Sequence, residues 1–121
     1  TSRPTVMLQN LLVETFERAG QAVSQARGGA VVPARYELQT QLRDFQAEYF
    51  HDAATPEVRI RLAVTLVRLG PLAPAGRRIV EVAVPAGGAD MEAVVAAFDR
   101  AAQQAAAETV AWAVERLRGA P

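Results

Sequence analysis

Residues 34–50, ARYELQTQLRDFQAEYF, constrain the fold more than any other stretch of the chain. Tyr36, Leu38, Thr40 and Leu42 alternate with Glu37, Gln39, Gln41 and Arg43. A period of two predicts a half-buried strand, because successive side chains leave opposite faces of the pleat. The phase then slips: Asp44 stands where an apolar residue is due, and Phe45, Ala47 and Tyr49 resume one position late. One extra residue near Arg43 and Asp44, a β-bulge, would return the aromatics to the buried face. An unbroken strand would turn Phe45 and Tyr49 to the other side. Burial favours the bulge, since apolar area removed from water is worth roughly 25 cal/mol per Å².

The rest of the chain is arranged around this strand. Residues 4–19 predict an amphipathic helix, with Leu8, Leu11, Leu12, Thr15, Phe16 and Ala19 as its apolar stripe. Pro4 suits the first turn and Gly20 the position just past the end. A short strand is expected over 21–25, then a turn at Arg27, Gly28 and Gly29. Residues 51–56 read as a loop. Val58, Ile60, Leu62, Val64 and Leu66 then alternate without fault, and Val80, Val82 and Val84 repeat the pattern after a loop holding Gly70, Pro71, Pro74 and Gly76. Paired as a hairpin, these strands are expected to set Leu66 against Val80 and Leu62 against Val84. Their odd-numbered face is mixed and should be only partly covered. Asp90 is a natural helix N-cap, with Glu92 in the favoured first turn. The helix runs from Met91 to about Leu117, with Met91, Val94, Val95, Phe98, Ala101, Ala102, Ala105, Thr109 and Trp112 as its expected inner face. The abundance of Ala favours a close approach to its support, and Trp112 is its one large anchor.

The predicted fold class is therefore α+β: a mixed, largely antiparallel sheet with an N-terminal helix and a long C-terminal helix. With 121 residues the chain is expected to form a single domain over 1–121. Thirteen arginines, with no lysine, balance thirteen carboxylates. That balance argues against a nucleic-acid partner, which calls for a basic excess. No cysteine is present, so disulfides and thiolate metal sites are excluded. No apolar run approaches the ~18 residues of a membrane span.

Catalytic chemistry has little to work with. His51 is the only histidine and has no second ligand nearby, so no metal is expected. Ser2 and Ser24 are the only serines, and neither lies in a nucleophile-elbow sequence. Asp44 and Glu48 could form an acid–base pair, but read better as a bulge residue and a solvated strand residue. Gly87 and Gly88 before a helix lack any phosphate-loop pattern. Arg59, Arg61, Arg77 and Arg78 could gather on one region of the sheet as a contact for acidic lipid or a partner, against the plainer reading of a solvated charged face. Neither an enzyme nor a cofactor is expected.

Several segments in combination carry a family resemblance: LLVETFERAG closing the first helix, LRDFQAEYF, VRIRLAVTL, and MEAVVAAFDRA followed by AWAVERL. Together they resemble the ABC-type transport auxiliary lipoproteins, the PqiC/YmbA-like lipoproteins of Gram-negative bacteria. The likeness runs over nearly the whole chain and omits the family's N-terminal part, where a signal peptide, a lipid-modified cysteine and the first strands would stand. It implies an anticodon-binding-domain-like fold, of which this chain would be the C-terminal portion. It also implies a periplasmic subunit, lipid-anchored to the outer or inner membrane, beside an ABC transporter whose periplasmic component carries MCE (MlaD-like) domains and handles lipids.

Two functional readings follow. One is a non-catalytic accessory subunit acting by protein–protein contact with MCE-domain and other transporter subunits, or with a second copy of itself. The alternative is a small carrier of phospholipid or another apolar ligand held between the long helix and the sheet. The Ala-rich helix favours the first. Candidate partner-binding residues are Phe45, Tyr49 and Phe50, where the organising strand meets its loop, together with Arg59 and Arg61.

Overall fold

A computed structural model describes residues 3–19, 24–26, 29–31, 36–49, 55–69 and 73–118. The element order is α1 (Arg3–Arg18), β1 (Ser24–Ala26), β2 (Gly29–Val31), β3 (Tyr36–Glu48), β4 (Glu57–Arg68), β5 (Ala73–Pro85) and α2 (Met91–Arg118). The five strands form one sheet in sequence order, every neighbour antiparallel. The short strand expected over 21–25 is β1, with 21–23 outside the described residues. β2 was not expected: three residues, GAV, carry too little alternation to announce a strand.

The bulge is where the phase slip puts it. Leu42 pairs with Leu62 and Asp44 with Arg61, so Arg43 is the extra residue. Phe45 thereby faces Ile60 and Ala47 faces Val58, which keeps the aromatic on the side of the core.

The β4–β5 register differs from expectation. Leu62 pairs with Val80, Val58 with Val84 and Leu66 with Gly76, four residues from the predicted pairing. The presumed loop holds strand residues, since β5 begins at Ala73 and a second irregularity between Leu66 and Val67 takes up the slack. A shift of four preserves the faces of a period-two element, so the even-numbered apolar surface is the one foreseen. The hydrogen bond from the Ala86 N–H to the Pro56 carbonyl, 2.9 Å long, closes the other end of this pair.

Both helices pack on that even-numbered face. Val58, Ile60, Leu62, Val64 and Leu66 of β4 are at most 1% exposed. They meet α2, which lies over β4 and β5, while α1 runs beside α2 and adds Leu8, Leu12 and Phe16 to the same core. The buried stripe of α2 is Ala97, Ala101, Ala102, Ala105, Ala106, Thr109, Val110 and Ala113. The expected inner face is thus rotated: Met91 and Val95 are 78% and 56% exposed, and Ala19 of α1 is exposed too. Small residues win the inner positions because the helix can then sit close to the sheet, where large ones would hold it off. Trp112 is half-buried rather than fully so; its ring covers Gly76 on β5, where a Cβ would come within 3.0 Å of Trp112 Cζ2. Asp90 stands at the N-cap, its carbonyl accepting the Val94 N–H at 3.1 Å.

Candidate interaction surface

Two surfaces emerge from the residues singled out by sequence, and they lie on different faces. The first is apolar. Phe45, turned inward by the bulge, stacks on Phe98 of α2 with ring centroids 4.6 Å apart and planes 16° from parallel. Both rings are only half-buried. Val95 and Met91 precede Phe98 by three and seven residues, so the three share one side of α2. Tyr49 follows Phe45 by four residues, on the same side of the strand in a period of two, and is 61% exposed. Tyr49, just past the end of β3, and Met91 and Val95, in the first turns of α2, are thus exposed apolar side chains near the termini of the two elements that carry the Phe45–Phe98 stack. Phe50, expected in this group, lies outside the described residues, as does His51. Met91 and Val95 were assigned to the core; the signal that could have placed them here is the Ala stripe, whose spacing sets the true inner face.

The second surface is the uncovered face of the sheet. Arg61 pairs with Asp44 on β3 at 3.1 Å and with Glu81 on β5 at 3.6 Å, the three standing in register across the sheet. Arg59 reaches Glu57 at 3.3 Å and Glu48 at 4.0 Å. These pairs are substantially exposed and each is worth well under 1 kcal/mol in water. Their effect is to commit Arg59 and Arg61 to partners within the chain. Asp44 and Glu48 are likewise held by arginines rather than by each other. Phe45 is on the opposite face from both arginines, so the predicted residues do not form one site.

At the start of α2 a Cβ on Gly88 would lie 2.9 Å from an Asp90 carboxylate oxygen. The protein's own carboxylate thus occupies the region where a bound anion would sit. No group of three or more His, Cys, Asp or Glu able to hold a metal occurs among the described residues, and none of their helices is long and apolar enough to cross a membrane.

The model of the ABC-type transport auxiliary lipoprotein component family matches residues 1–110. The chain belongs to this family. Its fold matches the crystal structure of a Xanthomonas campestris protein of the DUF330 family, with a TM-score of 0.83 and 28% identity, covering 94% of this chain and 63% of that one. The chain thus spans under two thirds of that relative's length. A Caulobacter crescentus CB15 structure described as a candidate lipoprotein shares the fold at a TM-score of 0.62 and 21% identity, over 98% of this chain and 81% of that one. No curated protein matches the sequence. The family is described as a lipoprotein component auxiliary to ABC-type transport.

Proposed function

We propose that the protein is a non-catalytic periplasmic accessory subunit of an ABC-type, MCE-associated lipid transport system, acting by protein–protein contact. The exposed patch of Tyr49, Met91 and Val95 around the Phe45–Phe98 stack carries this reading, with the MCE-domain component as the occupant. Aromatic and Met side chains are enriched at interfaces because they bury large area at modest entropy cost. This patch is half-anchored by the core, so its aromatic geometry is set before a partner arrives. Polar groups that could rim such a contact stand nearby: Glu48 and Glu57 pair at the ends of β3 and β4, and Glu92 lies in the first turn of α2.

The carrier alternative requires space between α2 and the sheet. Ala97, Ala101, Ala105, Ala106 and Ala113 are 0% exposed there, a closeness of packing that favours a contact subunit. The reading is tested with a variant carrying Tyr49→Ser, Met91→Ser and Val95→Ser. Capture of the MCE-domain component should fall at least tenfold while the melting temperature is held or rises slightly. Undiminished capture would remove the patch from the contact. Phospholipid retained stoichiometrically in a native mass spectrum would support the carrier instead.

A further inference from the structure

We propose that the turn-side half of the β4–β5 hairpin, carrying Arg68, Arg77 and Arg78, together with Arg116 of α2, docks on the surface of an anionic phospholipid bilayer. The zero net charge conceals a separation along the strands. Asp44, Glu48, Glu57 and Glu81 stand toward the end where β3 finishes and β4 begins, and Asp90 and Glu92 lie at the start of α2 on the same side. In the turn-side half of the hairpin Arg68 pairs with Ala73 at the strand end, and Arg77 with Thr65 and Arg78 with Val64 nearer the middle. Arg116 joins them from the last turns of α2. A Cβ on Gly76 would meet its Nε at 3.2 Å, and its guanidinium lies 5.8 Å from the centre of the Trp112 ring.

The two groups of arginines are held differently. Arg59 and Arg61 are each shared between two carboxylates. Arg68, Arg77, Arg78 and Arg116 are exposed and have no ion pair among the described residues. The carboxylates at this end are Glu37, which accepts a 2.8 Å hydrogen bond from Gln39, Glu115, which lines the groove between α1 and α2, and Glu14 and Glu17 with Arg18 on α1, which packs beside α2 and over β2. On the β4–β5 side no carboxylate of the described residues stands among Arg68, Arg77 and Arg78, so the positive surplus is local to that side. Arg77 and Arg78 also line a shallow cleft with Ala63, Thr65 and Ile79, the last 55% exposed. Guanidinium and hydroxyl donors beside an exposed aliphatic side chain match a lipid phosphate with its glycerol and upper acyl chain. A wholly acidic peptide would leave Ile79 unused. Trp112, half-buried at the same end, is of the residue type enriched at membrane interfaces, and a lipoprotein works beside a bilayer that its anchor keeps at high effective concentration. Docking there would turn the Tyr49 patch away from the bilayer, at the far end of strands roughly 40 Å long at ~3.3 Å per residue.

The inference rests on the envelope-subunit reading, but its test is independent of the transporter partner, so either can fail alone. The protein is floated with vesicles of phosphatidylglycerol and phosphatidylethanolamine, and with vesicles of phosphatidylcholine. Binding to the anionic vesicles only, weakening as salt is raised, is expected. A juxtamembrane basic residue is worth about fivefold in binding, so Arg77→Gln, Arg78→Gln and Arg116→Gln together should weaken it on the order of a hundredfold. The control, Arg59→Gln with Arg61→Gln, should bind within about twofold of the wild type, the spread expected where no surface contact is lost. Circular dichroism checks that both variants remain folded. Equal binding to the two vesicle types, or triple and control variants that bind alike, would overturn the proposal. So would displacement from vesicles by millimolar inorganic phosphate, which would mark a free-anion site, or binding to polyglutamate with no binding to either vesicle, which would mark an acidic protein partner.

Discussion

Deleting Arg43 should be tolerated, although it removes a residue from the middle of a long central strand. Leu42 pairs with Leu62 and Asp44 with Arg61, so excision of the intervening residue leaves a regular ladder with every other partner unchanged. No inward-facing side chain changes sides. What is lost is the local twist of the bulge, which helps to aim Phe45 at Phe98. Loss of the stack would cost about 0.5–1.5 kcal/mol beyond its area. At about 4 °C per kcal/mol for a chain of this size, the melting temperature should fall by no more than a few degrees. Deleting Ala63 from β4, where no spare residue exists, makes the contrast. One half of that strand must then reverse its faces. If it is the first half, Val58, Ile60 and Leu62, each now at most 1% exposed, lose about 1.5–3 kcal/mol apiece. That loss is comparable to the whole stability of a domain, about 5–15 kcal/mol. Thermal unfolding by circular dichroism reads both variants. An Arg43 deletion that unfolds as badly as the Ala63 deletion would refute the bulge and the register built on it.

Other outcomes follow from particular contacts. Thr109 is fully buried and its hydroxyl has no hydrogen-bond partner among the described residues; Thr109→Val should therefore stabilise the protein by about 1 kcal/mol, seen as a higher denaturant midpoint. Ala105→Leu should destabilise by about 1–3 kcal/mol, because it forces α2 away from the sheet, and the same denaturation curve checks it. Gly76→Val should push the Trp112 ring off β5 and shift its fluorescence to the red, at a cost of about 1–3 kcal/mol. Arg61→Gln should cost less than 1 kcal/mol, a difference that shrinks in high salt, since its two ion pairs are exposed.

How much of this was legible in the sequence depends on the length scale of the signal. The phase slip after Leu42 marked the bulge because a single misplaced Asp44 breaks an otherwise strict period of two. The faultless alternation of β4 and β5 fixed which face is buried, but not the register, since pairings four residues apart bury the same face. Only the turn decides between them: Pro74 and Gly76 carry a loop signal, yet both are strand residues and Gly76 lies beneath Trp112. The inner face of α2 was misjudged by weighting large side chains: Met91 and Val95 looked like core, yet closely packed helices bury their small residues. That same error hid part of the candidate contact surface. Phe45 and Tyr49 were found from the strand, while their neighbours on the helix emerged only once α2 was placed. The arginines needed three dimensions as well, since nothing in the spacing says that Arg61 meets Asp44 and Glu81 whereas Arg77 meets neither.

In the function proposed, the end of β3 and the start of α2 meet the transporter. A photo-crosslinking residue placed at Tyr49 or Val95 tests it directly in the cell envelope, with the same residue at Arg78 as the reference. The expected result is a crosslink from Tyr49 and from Val95 to the MCE-domain component, and none to that component from Arg78. A crosslink to the MCE-domain component from Arg78 alone, with Tyr49 and Val95 giving none, would contradict it.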